Sequence, residues 1–459
     1  MMMSPRPRQW LSGRTLEWVR KLALNAMAAM SAGLGLLGTA LAYRVFGLSA
    51  QADVWMLGTV IVMSLTLVSQ LGVEQMAVFY ARERAADAQR ADGFVRDALL
   101  WSLCFGALFA AAVHVLAPWL VRGFSPGFSP QQHADVTQVL RAFWPLLLLS
   151  PSQFVIKQVL LVRGSVLIAT ALGLLVPATQ CAALLVAVMG MGSEPARVAS
   201  QTVVGYGLLS LPVLLLAMRG LPWGQRPDMH TLVPFIASSA SMRLTHSVHG
   251  FLVTFVSNHL LSFGVAGTVS TFQYARKIAE GLASVTVGPH VSVYHARQAV
   301  HWADASEQSF RAQVREYLRS IAPLLLLASL VLAGTACYLW LSQRLPQQVD
   351  ASIFALAVGA LFLWQIVIAI ETVPVGVLVM ACRYRQMLLI NASFITAYYL
   401  WGIGLQQLMP GAVAIPVASI LAQLQSTALF CWSAKALYAA RFGATATTAA
   451  AQWETSRQR

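Results

Sequence analysis

Apolar residues run through this chain in long unbroken stretches, not at the alternating spacing of half-buried strands. A bilayer-crossing helix needs about 20 mostly apolar residues. Twelve stretches of that kind follow one another, near 22–43, 54–80, 97–120, 138–161, 165–189, 198–218, 232–261, 267–294, 318–341, 352–381, 386–406 and 414–438. Short polar or Pro/Gly-containing segments separate them, and the longest connector, near 295–317, carries mixed charges. The pattern predicts an all-α polytopic membrane protein. Two of the twelve stretches carry cations far from their ends: TFQYARKIAEGL places Arg276 and Lys277, with Glu280, inside the eighth, and Arg243 stands inside the seventh.

The chain also repeats itself. FGLSAQADVW begins at Phe46 and FGVAGTVSTF at Phe263, while MAVFYARE at Met76 is echoed by VSVYHARQ at Val291, offsets of 217 and 215 residues. A repeat of six spans enters the membrane from the same side both times. The halves are then parallel repeats, with a substrate site expected at their interface near the midplane. The expected organisation is a segment 1–21, a six-helix lobe 22–218, a linker 219–231, a second six-helix lobe 232–440 and a tail 441–459.

Composition agrees with the span count: 58% of residues are hydrophobic, 10% are charged and the mean hydropathy is +0.65. The net charge of +14 would point to nucleic acid in a soluble protein. In a membrane protein it first reports orientation, because basic loops stay on the cytoplasmic side. With both termini cytoplasmic, twenty-one Arg and Lys residues fall in inside segments against four outside, namely Arg44, Arg122, Arg197 and Arg344. Nucleic acid is therefore not expected as a partner. The five cysteines show no CxxC spacing, so neither a disulfide framework nor a zinc site is expected. The first apolar run, about 20 residues long, exceeds the core of a cleavable leader and reads as a span.

Depth separates informative charges from ordinary ones. A central Arg or Lys costs about 2.5–3.5 kcal/mol on insertion scales, a penalty that snorkelling relieves near helix ends. Arg243 lies roughly 17 Å into its span, and Arg276 and Lys277 roughly 15 Å into theirs, at 1.5 Å per residue. All three are near the midplane, and Glu280 can pair with either neighbour on its own helix. Span seven adds a stripe of Ser239, Arg243, His246, Ser247, Gly250, Thr254, Ser257 and Asn258 at helical spacing. Such a stripe lines a wet cavity or bonds helices together. Glu74 and Glu371 are the other intramembrane acids, candidates for proton or cation coupling or for pairing with an arginine. His246 and His249 have a metal-compatible spacing but no acid or cysteine beside them, so no metal is expected. No phosphate-binding loop, HExxH or nucleophile elbow appears. What remains is transport without a cofactor, through a cationic pocket suited to an anionic cargo.

At these residues the sequence resembles a known family. SAGLGLLGTALAYRVFGLSAQADVW, with Phe46, Gly47 and Asp53, looks like the opening of the multidrug/oligosaccharidyl-lipid/polysaccharide exporter superfamily. YARKIAEGL is similar to a Tyr-Ala-x-basic-x-x-Glu stretch of its lipid II flippase branch, which places that branch's cavity cation on Lys277 and its acid on Glu280. Ala32 and Gly38 stand where that branch carries arginines, span seven lacks its acid, and twelve spans are counted where it has fourteen. The polysaccharide-exporter branch fits better. The resemblance implies a bacterial inner-membrane flippase for polyprenyl-diphosphate-linked oligosaccharides, and charge depth with the polar stripe of span seven places Arg243, Arg276, Lys277, Glu280, His246 and Asn258 around its substrate. It implies membrane lipids as surroundings and a glycan polymerase and glycosyltransferases as partners. The rivals are a cation-coupled multidrug exporter of the same fold and a non-transporting scaffold in a glycan-synthesis complex.

Overall fold

A computed structural model describes residues 13–73, 75–224, 226–287, 307–342, 351–381 and 383–443, with single positions between 290 and 298. Among the described residues every regular element is helical. The first half contains α1 (Gly13–Phe46), α2 (Ala50–Ser69), α3 (Met76–Ala86), α4 (Ala88–Phe124), α5 (Pro130–Ala142), α6 (Trp144–Val162), α7 (Val166–Leu172), α8 (Leu175–Val188) and α9 (Pro195–Met218). The second contains α10 (Met229–Leu261), α11 (Thr268–Thr286), α12 (Glu307–Ser342), α13 (Ala351–Met380), α14 (Tyr384–Gln406) and α15 (Gly411–Tyr438).

Each of the twelve apolar stretches has a helical counterpart, and eight described helical segments are long and apolar enough to cross a membrane. The chain is a multi-pass membrane protein. Three stretches expected to be continuous are broken. The second ends at Ser69 and resumes as α3; a turn there seats Gly72, where a Cβ would lie 2.6 Å from Trp101 Nε1. The fourth splits at Phe143 because Pro145, in the first turn of α6, has no N–H with which to continue the hydrogen-bond ladder of α5. The fifth splits at Gly173 and Leu174, one turn before Pro177. The mixed-charge connector is helical from Glu307, because Phe310 and Tyr317 bury themselves on that side of the bundle.

Small residues set the closest approaches within the first lobe. Gly106 of α4 faces the backbone of α6, and a Cβ there would collide with the carbonyl oxygen of Leu148. Close backbone approach at small residues is the usual way helices pack without a hydrophobic driving force. Gly106→Ala is therefore expected to lower stability by about 1–3 kcal/mol, the cost of overpacking. A lowered thermal midpoint in detergent checks it, and an unchanged one would mean that α4 yields freely.

The two six-helix lobes meet with the symmetry of the repeat. Helix α1 packs on α11 and α2 on α10, so the first two spans of each half touch the first two of the other, and α2 meets α11 between them. At that central crossing the Asp53 carboxylate accepts the Ser270 amide at 2.7 Å, across a separation of 217 residues. That separation equals the repeat offset, so Asp53 and Ser270 occupy one position of the repeat and the axis relating the halves passes beside them. Ser49 caps its own helix by accepting the Ala52 amide at 3.3 Å. Its counterpart in the second half is Ala266, which has no acceptor to offer, and Asp53 supplies it from across the interface. Its other oxygen accepts the Gly267 amide at 2.7 Å. Gly267 has φ +93, the left-handed region that favours glycine.

Candidate functional site

Between the lobes lies a cavity of about 340 Å³. Its first-lobe wall is neutral. Gly35, Gly38, Thr39 and Ala42 of α1 follow one another at i, i+3, i+4 and i+7, a small-residue face that leaves room instead of filling it. Thr59 and Ser64 of α2 and Gln180 of α8 add neutral polar groups. The second-lobe wall carries the charge. Gln273, Arg276, Lys277 and Glu280 recur on α11 at the same helical spacing, and Gly250 and Thr254 of α10 stand beside them. On the other faces of α11, Phe272, Ala275 and Ala279 are buried. The apolar faces thus fix the helix and point its charges into the space.

Arg276 Nε donates to Glu280 Oε1 at 2.6 Å, one turn along the same helix. Their side chains are 20% and 34% exposed, so the pair is partly wetted by the cavity and its contribution is that of a screened surface pair more than a buried one. Lys277 is exposed to the cavity, and among the described residues no carboxylate lies within ion-pair distance of its ammonium. Nine residues into α11, it stands about 14 Å from the start of the helix. The three charges leave one net positive charge on this wall.

The structure brings together part of the expected set. Arg276, Lys277 and Glu280 share the cavity. Arg243 and His246 belong to α10, but their side chains lie outside the described residues, as does Glu74. Asn258 is fully buried behind the wall: its Nδ2 donates to the Thr254 carbonyl at 2.7 Å and its Oδ1 accepts Gln273 Nε2 at 3.0 Å. It holds Gln273 in position and does not line the cavity. The span-seven stripe therefore divides. Gly250 and Thr254 face the cavity, whereas Ser239 accepts the Gln75 amide at 3.0 Å and Ser257 bonds the Tyr398 hydroxyl at 2.8 Å. Both readings of that stripe apply, at different turns.

Glu371 is away from the cavity, on α13 against α15. Its Oε2 accepts from Gln423 Nε2 at 2.8 Å, Ser426 Oγ at 3.0 Å and Thr427 Oγ1 at 2.5 Å, and Trp364 Nε1 donates to Gln423 Oε1 at 2.9 Å. Its described partners are neutral donors and not an arginine. Gln180 and Gln273 are cavity residues that the sequence did not single out; a glutamine carries no charge penalty to betray its depth. Asp53 is 2% exposed at the end of the bundle where the α1–α2 and α10–α11 turns meet. At that same end Tyr274 donates to the Gly47 carbonyl at 3.3 Å and the Gly127 amide to Ser262 Oγ at 3.2 Å.

The sequence matches no protein-family model, and no curated protein matches it by sequence. Its fold does have solved counterparts. It is similar to a multidrug resistance MATE family transporter of the MOP superfamily in an inward-facing conformation, with a TM-score of 0.70 at 14% identity over 88% of this chain and 95% of that one. It is similar to the lipid II flippase MurJ in an inward closed conformation, with a TM-score of 0.71 at 12% identity over 90% and 87%. An outward-facing MATE transporter gives 0.63 at 13% identity over 92% and 96%. The chain shares the all-helical fold of these proteins.

Proposed function

We propose that this chain is a flippase that carries an anionic, polyprenyl-diphosphate-linked oligosaccharide across a bacterial inner membrane by alternating access. The observation that carries the reading is Lys277, whose ammonium lies in a polar space between two lobes with no carboxylate within ion-pair distance among the described residues. An unpaired charge at this depth is held at a cost unless a partner of opposite sign visits it. A diphosphate is such a partner, and Arg and Lys donors bind it through strong charge-assisted bonds. The polar wall of Gln180, Gln273, Thr39 and Thr59 suits a sugar head. The charge asymmetry of the loops supports cytoplasmic termini, which turns the Asp53 end toward the periplasm. Alternation then requires the Asp53, Tyr274 and Gly127 contacts at that end to break and re-form. Glu371 is a candidate for binding the proton or cation that drives the cycle, since its described partners are all neutral donors.

A multidrug exporter of the same fold is the second reading, favoured by the presence of Glu280 in the cavity wall. Vesicles containing the purified protein and a fluorescent polyprenyl-diphosphate oligosaccharide separate the two. The flippase reading expects protein-dependent loss of fluorescence protection, unaffected by an excess of a cationic dye. Uptake of the dye with no movement of the lipid would overturn it. Glu280→Gln is expected to shift the lipid's half-saturation to lower concentration, because Arg276 is then released to the diphosphate; a shift to higher concentration would mean that Glu280 serves the cargo directly.

A further inference from the structure

Two apolar clefts lie beside the cationic cavity, each sharing wall residues with the next. The first, about 350 Å³, lies at the seam between the lobes and is walled by Thr39, Tyr43, Tyr274, Ile278 and Phe354. The second, about 330 Å³, runs between α11, α12 and α13 past Ser329, Ala336, Gly359 and Phe362. Thr39 belongs to both the cavity and the first cleft, and Ile278 and Phe354 belong to both clefts, so the three spaces adjoin in sequence. Helix α11 is the partition. Arg276, Lys277 and Glu280 occupy its cavity face, while Tyr274 and Ile278, one turn apart, occupy the neighbouring face.

Gly359 marks the groove as space that packing does not use. Glycine inside a helix costs about 1 kcal/mol relative to alanine, and it is usually repaid by a neighbour coming close. Here a Cβ would meet nothing within 4 Å. The second cleft is almost wholly apolar in its lining, yet it neighbours, by way of Ile278 and Thr39, a cavity whose Lys277 ammonium has no carboxylate within ion-pair distance among the described residues. One amphiphile with an anionic head and a long tail matches both ends of this path.

We propose that the groove between α12 and α13 seats the hydrocarbon tail of the lipid whose anionic head lies at Lys277. The inference rests on the flippase reading and specifies where the tail travels: past Thr39, over Tyr274 and Ile278, and out along Gly359. The tail is thereby held by the second lobe, the lobe that also holds the head, and moves with it.

The test uses the full chain in vesicles of phosphatidylethanolamine and phosphatidylglycerol, with a polyprenyl diphosphate bearing a diazirine on its tail and the matching polyprenyl alcohol as control. Adducts are expected at 329–336 and 354–363, several-fold stronger for the diphosphate than for the alcohol. Lys277→Ala should reduce the diphosphate adducts to the alcohol level, and Gly359→Phe, whose ring has room to enter the groove, should remove them and lower lipid flipping by more than half. Equal labelling by both probes would mean bulk lipid only and overturn the proposal. Gly359→Phe flipping at the wild-type rate would overturn it while leaving the flippase reading intact. Head-dependent adducts in a wild-type protein that flips no lipid would leave the groove standing and remove the transport reading.

Discussion

Lys277→Ala is expected to reduce flipping of a diphosphate-linked oligosaccharide about a hundredfold, taking about 2–5 kcal/mol for a lost charge contact in a partly desolvated site. The protein itself should be unaffected. The ammonium has no carboxylate partner among the described residues, so its removal leaves no buried group unsatisfied. Lys277→Arg should keep most of the activity, since a guanidinium also pairs with phosphate. Arg276→Ala makes a contrasting case. It strips Glu280 of its 2.6 Å partner and leaves Lys277 to neutralise that carboxylate, so the cavity wall falls to zero net charge. Both neutralised walls should transport poorly at normal abundance. Wild-type rates in Lys277→Ala would remove the diphosphate from this site.

The second large effect is expected at Asp53. Its two oxygens accept the amides of Gly267 and Ser270, each at 2.7 Å, and so stabilise the N-terminus of α11 from the opposite lobe. Hydrogen bonds to a charged group contribute about 1.5–3 kcal/mol each. Asp53→Asn loses the charge, and its amide must present a donor to donors. A loss of about 3–5 kcal/mol at this contact would shift a two-state balance by more than a hundredfold. Spin labels at the exposed positions Gln51 and Val265, on opposite lobes, report the result. The wild type should give a short, narrow distance and Asp53→Asn a longer one, with transport falling as the closed state of this end is depopulated. An unchanged distance distribution would show that Tyr274 and Gly127 hold this end without Asp53.

Much of this architecture was legible in the sequence because the bilayer imposes one coarse rule, about 20 apolar residues per crossing. The rule locates spans but is blind to breaks within them. The interruptions near Gly72, Phe143 and Gly173 arise from local backbone chemistry that leaves the apolar run intact. Charge depth exposed Arg276, Lys277 and Glu280 because ionised groups are expensive in the membrane, and the structure places all three on one wall. The same criterion is silent for neutral amides. It passed over Gln180 and Gln273, and it gave Asn258 a cavity position although that side chain is turned into the seam between α10 and α11. Asp53 entered as part of a family-like motif. Its pairing with Ser270 required the two halves of the repeat to be seen folded together, since no local pattern announces a cap supplied from 217 residues away.

The sign of the cavity can be measured without knowing the cargo. Gln180→Cys, in a chain whose five native cysteines are replaced, puts one thiol on the neutral wall across from α11. An anionic methanethiosulfonate should then react several-fold faster than a cationic one of similar size, and Lys277→Ala should erase that preference. Faster reaction with the cationic reagent, or a preference indifferent to Lys277, would contradict an electropositive cavity built for phosphate.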